Sequence, residues 1–508
     1  MILAYQWINN KKYQMLASIL ILGFIQRIPS LFGYLGGDEA IIAYYSLKIL
    51  NGSILYRDLF DTKPPGLFLI VALIYWIFGN NIIVPRLFSM LISCFTSFFL
   101  FFIGKNIRNT TTGLAAALLF IIDPLSVKTG IVIHFGSVMI FFMVVSVYFY
   151  TIADQNEHSS LFFLVGLFIG ISALIKQPGI LILPVILLDL YLKKIWSKET
   201  LKSMMWIICG MITAIFPFIL YFVFTNSLDP AVFAIILFNL SFSKGMTPFA
   251  KFHHFFYYVF FRNPFIWIIG CAGLLFVYKF QKKWSFLITG WFILSLLTII
   301  SLKTPWDHYY LQVIPPLSLS SCICLQELFK SQKIKIHILK VDIVKMGTVF
   351  LFLSILTYSG FALYAHPRYS SKFSMFSSEL ADQHQVASYI IDQTDPDDKI
   401  FATHAGYYFL TGREGGYKFQ HLSSVVVEFY GISDLPQYLE MNEVQYLILD
   451  GNARNFILNN LTYNWYYQDE IRANEVIEIR QWLLDNYFIE KIFWVDQQEV
   501  QIYRSTKW

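Results

Sequence analysis

Between Gly36 and Gly66 the chain gathers four carboxylates, Asp38, Glu39, Asp58 and Asp61, around Lys63. A carboxylate can take a proton from a hydroxyl, and an ammonium can stabilise negative charge as it develops. In Lys63-Pro64-Pro65-Gly66 the first proline forces an extended residue before it and the second suits the start of a helix. Such a turn holds the Lys63 ammonium in one direction, which suits a phosphate. Plainer roles exist for the same residues. Asp38 and Glu39 cap a helix that begins there, and Lys63 snorkels beside a structural turn.

Two further polar breaks interrupt apolar sequence. Lys176-Gln177-Pro178-Gly179 divides one long apolar run, and a lysine set there needs an anionic partner. Lys303-Thr304-Pro305-Trp306-Asp307 leads into His308, Tyr309 and Gln312, supplying an imidazole, a phenol and an amide. Each alone serves as an interfacial anchor; together they make a polar pocket capped by basic groups. Asp58, Asp61 and Glu39 could hold a divalent cation through oxygen, although no spacing demands one and no cofactor is required. Asp123 reads as a helix cap. No Walker or dinucleotide glycine motif occurs, and nothing points to nucleic acid.

Elements that could position these groups follow from composition. The 508 residues are 56% hydrophobic and 14% charged, against about a quarter charged in soluble domains. Their apolar residues come in blocks near bilayer length. The blocks predict about eleven transmembrane helices, near 14–34, 84–104, 112–128, 131–151, 161–175, 178–192, 203–225, 265–280, 285–302, 309–328 and 346–365. Basic residues concentrate at Lys11-Lys12, Lys105 to Arg108, Lys193 to Lys202, Lys279 to Lys283 and Lys330 to Lys345, and the positive-inside trend puts these in the cytoplasm. The N-terminus is then cytoplasmic, and the polar breaks face outward. Cys94, Cys209, Cys271, Cys322 and Cys324 all fall in apolar blocks, which argues against a disulfide framework.

Residues 65–79 are short for a span, and 39–51 mix apolar with polar side chains. The first outer loop, 35–83, is thus expected to hold two interfacial helices around a polar turn. Beyond residue 365 the balance changes: residues 366–508 carry 20 acidic and 11 basic side chains. A soluble outer domain is expected there, with helices at 386–391 and 477–486 and strands at 399–403, 444–449 and 500–503. The fold class is a polytopic α-helical membrane domain, residues 1–365, followed by an extracytoplasmic α/β domain, residues 366–508.

Asp38-Glu39, then Asp61-Thr62-Lys63-Pro64-Pro65-Gly66, then Lys176-Gln177-Pro178-Gly179, and then His308-Tyr309 to Pro315-Pro316 resemble, in that order, the C-type superfamily of membrane glycosyltransferases. The similarity is closest to the protein O-mannosyltransferase branch, which includes the lipid A aminoarabinose transferases, and it covers residues 14 to about 330. The resemblance implies a polyprenyl-phosphate-linked sugar donor, a lipid, glycan or protein acceptor on the outer side of a plasma membrane, and inversion at the anomeric carbon. It implies Asp38 as the catalytic acidic residue, with Glu39 its neighbour in the catalytic pair, and Lys63 at the carrier phosphate; on chemistry Asp38 would be the base, and Lys176, His308 and Tyr309 are further phosphate-binding candidates. Asp58, Asp61, Gln177 and Gln312 complete the candidate site. Where many members carry an acidic residue in the second outer loop, this chain has Ile133-His134-Phe135-Gly136. A transporter or flippase for a lipid-linked or anionic substrate is the alternative, and a receptor or assembly scaffold a third. Transport favours midplane charges and inverted repeats, whereas here the polar motifs cluster at one face and no repeat is found.

Overall fold

The computed structural model describes residues 2–156, 159–193, 197–241, 246–259, 263–302, 305–330, 335–336, 341–342, 379–420, 430–450, 470–495 and 498–507. The expected span at 346–365 and the residues Lys303 and Thr304 lie outside the described residues.

Five described helices are long and apolar enough to cross a membrane: Lys11–Phe32, Ile83–Ile107, Phe135–Gln155, Lys198–Phe224 and Lys282–Ser301. A sixth crossing forms if Thr110–Ile122 and Pro124–Gly130, bent by 62°, count as one. Asp123 sits at that bend and caps the second piece, accepting from Leu125 N at 2.9 Å and Ser126 N at 3.1 Å. The count is below eleven because several apolar blocks form helices of 12 to 17 residues, among them Ser159–Ile175, Ile182–Lys193 and Pro264–Phe280. Exposed Met205, Ile212, Phe216 and Phe224 give Lys198–Phe224 an apolar outer face that suits lipid. Its inner face meets Ser159–Ile175 closely. A Cβ on Gly166 would overlap the Ile207 carbonyl oxygen, and one on Gly210 that of Phe163, the close approach that small residues allow between membrane helices.

Charge collects at two ends of the bundle. At one, Lys193 binds Asp189 at 2.7 Å and Asp154 at 3.2 Å, Lys283 reaches Asp154 at 3.0 Å, and Arg108 pairs with Glu327. The helix that carries Asp154 starts beside His134, some 20 residues or about 30 Å away, and the second charged end lies there.

The first loop forms helices Asp38–Leu50 and Gly66–Phe78. Ile42, Ala43, Tyr44 and Tyr45 are buried. They are covered by protein rather than lipid: Tyr44 lies 5.3 Å from the Tyr408 ring, and Tyr45 lies 5.8 Å from Phe68. Lys48 pairs with Glu414. The apolar side of this helix, expected to rest at the membrane surface, is therefore the seat of the C-terminal domain. The Gly66–Phe78 helix instead exposes Leu73, Trp76, Ile77 and Phe78 at its far end.

The C-terminal domain has strands β1 (Lys399–Ala402), β2 (Glu414–Gly415), β3 (Tyr446–Asp450), β4 (Tyr487–Val495) and β5 (Gln498–Ser505) in the order β2-β1-β3-β5-β4. The first three are parallel, and β5 runs antiparallel to β3 and β4, so the sheet is mixed. Helices Glu379–Gln393, Ala405–Thr411, Leu435–Met441 and Glu470–Asn486 accompany it. Strand β3 is buried along its whole length, as the centre of a covered sheet requires.

Candidate active site

Asp38 opens its helix, following Gly37 at φ 60° and ψ −140°, a conformation that a side chain disfavours. The Lys63 ammonium lies 3.6 Å from Asp38 Oδ1 and 3.6 Å from Asp61 Oδ1. Burial alone would raise the Asp38 carboxyl. Lys63, with His134, His308 and Lys176 behind it, more than offsets that and holds the group well below the usual carboxylate range. Asp61 is moved the other way, upward, chiefly by its deeper burial. Lys63 is raised, because its two carboxylates outweigh desolvation.

The turn that aims Lys63 is bonded from several sides. Asp61 Oδ1 accepts the Lys63 N–H at 2.9 Å, and the Tyr56 hydroxyl donates to the Lys63 carbonyl at 2.7 Å. Gln177 Nε2 and Asn239 Nδ2 both donate to the Thr62 carbonyl, at 2.7 and 3.2 Å. Gln177 thus braces the lysine turn rather than presenting its amide to a ligand.

Lys176 ends the helix Ser159–Ile175 and is 5% exposed. Its ammonium lies 3.9 Å from the centre of the Tyr309 ring, a cation–π contact, and no carboxylate pairs with it among the described residues. The His308 ring lies tilted 4.6 Å from that of Tyr309 and meets His134 edge to face at 4.7 Å. Burial pushes the His134 imidazole down to about 3 despite the opposing pull of Asp38, and it likewise holds His308 well below its ordinary value. Both rings are neutral at physiological pH. Because His134 Nδ1 accepts the Gly136 N–H at 3.0 Å, its proton sits on Nε2. Gln312 is buried, and its amide has no hydrogen-bond partner among the described residues.

Two candidates fall elsewhere. Asp58 accepts from Ile54 N at 2.8 Å and from Arg57 Nε at 2.8 Å, closing an exposed surface turn. Glu39 is buried in a two-point ion pair with Arg86, Nε to Oε1 at 2.9 Å and Nη2 to Oε2 at 2.7 Å, and also accepts from Ile133 N at 3.3 Å. With its oxygens so engaged, Glu39 ties its helix to Arg86, whereas Asp38 turns an oxygen toward Lys63. The three carboxylates that could have shared a cation are thereby held by different partners, and no three His, Cys, Asp or Glu side chains converge among the described residues.

Arg86, His134, Tyr56 and Asn239 are the contributors that sequence reasoning missed. Arg86 is an ionisable residue inside the apolar block 84–104, a signal that could have found it. The guanidinium also donates to the carbonyls of Leu31, Gly33 and Tyr34, at 2.7, 2.8 and 3.1 Å.

Residues 62–247, which include Lys63, His134 and Lys176, match the family described as dolichyl-phosphate-mannose-protein mannosyltransferase. A comparison with curated proteins finds no match. Among solved structures the chain is similar to ArnT from Cupriavidus metallidurans bound to undecaprenyl phosphate, at 13% identity and TM-score 0.63 over 99% of each chain. The apo state of that protein gives 12% and 0.62 over 98% of each. The archaeal oligosaccharyltransferase AglB from Archaeoglobus fulgidus, in complex with an inhibitory peptide and a dolichol-phosphate, gives 13% and 0.57 over 87% of this chain and 70% of that one. At such identities the likeness is one of fold, while the family match and the carboxylate–lysine loop speak to chemistry. The chain thus matches that family over residues 62–247, and it shares the fold of these polyprenyl-phosphate-binding membrane proteins.

Proposed function

We propose that the protein transfers a sugar from a polyprenyl phosphate to a hydroxyl of an acceptor on the outer side of the membrane, with inversion. Asp38 takes the acceptor's proton as the oxygen attacks the anomeric carbon from the side opposite the phosphate. The bond from that carbon to the phosphate oxygen breaks, and its electron pair leaves with the polyprenyl phosphate. Lys63 and Lys176 receive the added negative charge. A single in-line displacement of this kind inverts the centre.

The observation that carries the reading is Lys176. A buried ammonium lying on a phenol ring, without a carboxylate among the described residues, awaits an anion. Asp38 and Lys63 stand close by and supply a base and a second cation. The undecaprenyl phosphate and dolichol-phosphate bound by the similar structures support a carrier of the same chemistry. The same reading takes the shorter apolar helices as crossings in a bundle of about eleven, with the N-terminus cytoplasmic and residues 366–508 outside.

The test is to purify the protein in detergent, offer polyprenyl-phosphate-linked sugars of several kinds with lipid, glycan and peptide acceptors, and follow free polyprenyl phosphate. Consumption of one donor supports transfer. If none is consumed with any acceptor while vesicles containing the protein move such a lipid across the bilayer, transport replaces it. Lys176→Ala is expected to weaken binding of undecaprenyl phosphate about 10- to 100-fold, the loss of one or two charge-assisted bonds. Unchanged binding would remove Lys176 from the phosphate site.

A further inference from the structure

The peptide leading into Asp38 is gripped by residues more than 340 positions away in sequence. The Tyr34 N–H donates to Glu379 Oε2 at 2.9 Å, and the Tyr34 hydroxyl donates to Asp450 Oδ2 at 2.9 Å. Gln383 closes a ring with Leu35, accepting its N–H at 2.7 Å and donating to its carbonyl at 3.1 Å. His404 Nε2 lies 3.1 Å from the Gly37 N and Nδ1 lies 3.2 Å from the Gly406 N; a neutral ring accepts only one of these, and it accepts the shorter, from Gly37, when its proton sits on Nδ1. All four outer-domain residues are buried.

Most of these bonds go to backbone rather than to side chains. A domain that merely covered the pocket could dock through apolar contact; bonds to the N–H groups of Tyr34, Leu35 and Gly37 fix the path of the chain itself. Gly37 is the pivotal position. It has the positive φ that glycine tolerates, it makes no side-chain cap, and the helix that begins with Asp38 starts from it. The direction of its N–H therefore sets the first helical turn, and with it the direction of the Asp38 Cα–Cβ bond. Arg86 holds the carbonyl side of the same peptide, at Leu31, Gly33 and Tyr34. The membrane domain and the outer domain thus grip one strand from opposite sides.

We propose that the outer domain is part of the catalytic apparatus, with His404 a positioning residue that orients Asp38 through Gly37, supported by Gln383, Glu379 and Asp450. This rests on the reading of Asp38 as the base.

Full-length protein carrying His404→Ala, His404→Gln or His404→Asn is compared with wild type and Asp38→Asn, using the donor that wild type consumes for turnover and undecaprenyl phosphate for binding. His404→Ala is expected to lower kcat about 10- to 100-fold, as small misplacements of a reacting group do, without weakening binding of the carrier phosphate. The glutamine amide can reach the place of Nε2 and should restore most of the rate. Asparagine, which reaches only as far as Nδ1, should not. If His404→Ala fails to fold, the glutamine and asparagine pair decides alone. Wild-type kcat in His404→Ala, equal rates in the glutamine and asparagine variants, or loss of carrier binding in step with kcat overturns the proposal. An inactive Asp38→Asn beside a fully active His404→Ala sinks the positioning role alone, whereas an active Asp38→Asn sinks the assignment of the base beneath it.

Discussion

Asp38→Asn is expected to lower turnover about 10²- to 10⁴-fold, the range for loss of a general base, with the donor still bound. The amide keeps the size and the helix-start position of the carboxyl and removes only its basicity. Lys63 and Lys176, the proposed partners of the phosphate, remain. The pH profile carries a second part of the expectation. In the free enzyme Asp38 is held below its ordinary value, so it stays ionised through the pH range where carboxylates usually protonate, near 4. A bound phosphate draws Lys63 toward itself and weakens that hold, which raises the carboxyl. The acid limb of kcat should therefore lie at higher pH than that of kcat/KM. Coincident limbs would show that the lysine does not pass between carboxylate and phosphate, and a fully active Asp38→Asn would remove Asp38 from the chemistry.

Arg86→Leu is expected to destabilise the protein by about 3–5 kcal/mol, the effect of leaving a buried charge without its partner. Glu39 is 2% exposed and Arg86 fully buried, so water cannot readily replace either. The loss also strips the carbonyls of Leu31, Gly33 and Tyr34 of their donor. For that reason Glu39→Leu combined with Arg86→Leu should recover only part of the stability, although replacing both members of a buried pair is often neutral. Denaturant unfolding in detergent reads this, with Lys48→Ala, an ion pair at the edge of the outer domain, as the control expected to lose no more than about 1 kcal/mol. A single Arg86→Leu variant as stable as the control would mean that the guanidinium is not the anchor of the loop.

The residues of the site were legible where the chain announces a break. Pro64, Pro65 and Pro178 mark the ends of apolar runs; Lys63 stands directly before Pro64, and Lys176 two residues before Pro178. Helix Asp38–Leu50 was legible from its acidic start. What it packs against was not, because Tyr408 and Glu414 arrive from the far end of the chain. Glu39 was read as the neighbour of Asp38 in the catalytic pair; its ion pair with Arg86, 47 positions away, was not legible. His134 read as a departure from an acidic position; folding brings its ring to His308 and within the field of Asp38. In the outer domain, strand β4 escaped notice because its sequence, Tyr-Phe-Ile-Glu-Lys-Ile-Phe-Trp-Val, lacks alternation. It is an edge strand whose register shifts between Ile489 and Lys491, so apolar side chains appear on both faces.

Helix Ser159–Ile175 has 17 residues, a rise of about 25 Å, short of the roughly 30 Å of a typical hydrocarbon core. Lys176 follows directly at its end. A bilayer that meets so short a helix thins locally, which brings the headgroup plane down toward the ammonium. The enzyme would then work partly by deforming its own solvent, lowering the surface to the level at which a carrier headgroup can be gripped while its tail stays in oil. Lipids with longer acyl chains resist that thinning, so turnover in reconstituted bilayers should fall as chain length grows. A rate indifferent to thickness would mean that local thinning at this helix plays no part in turnover.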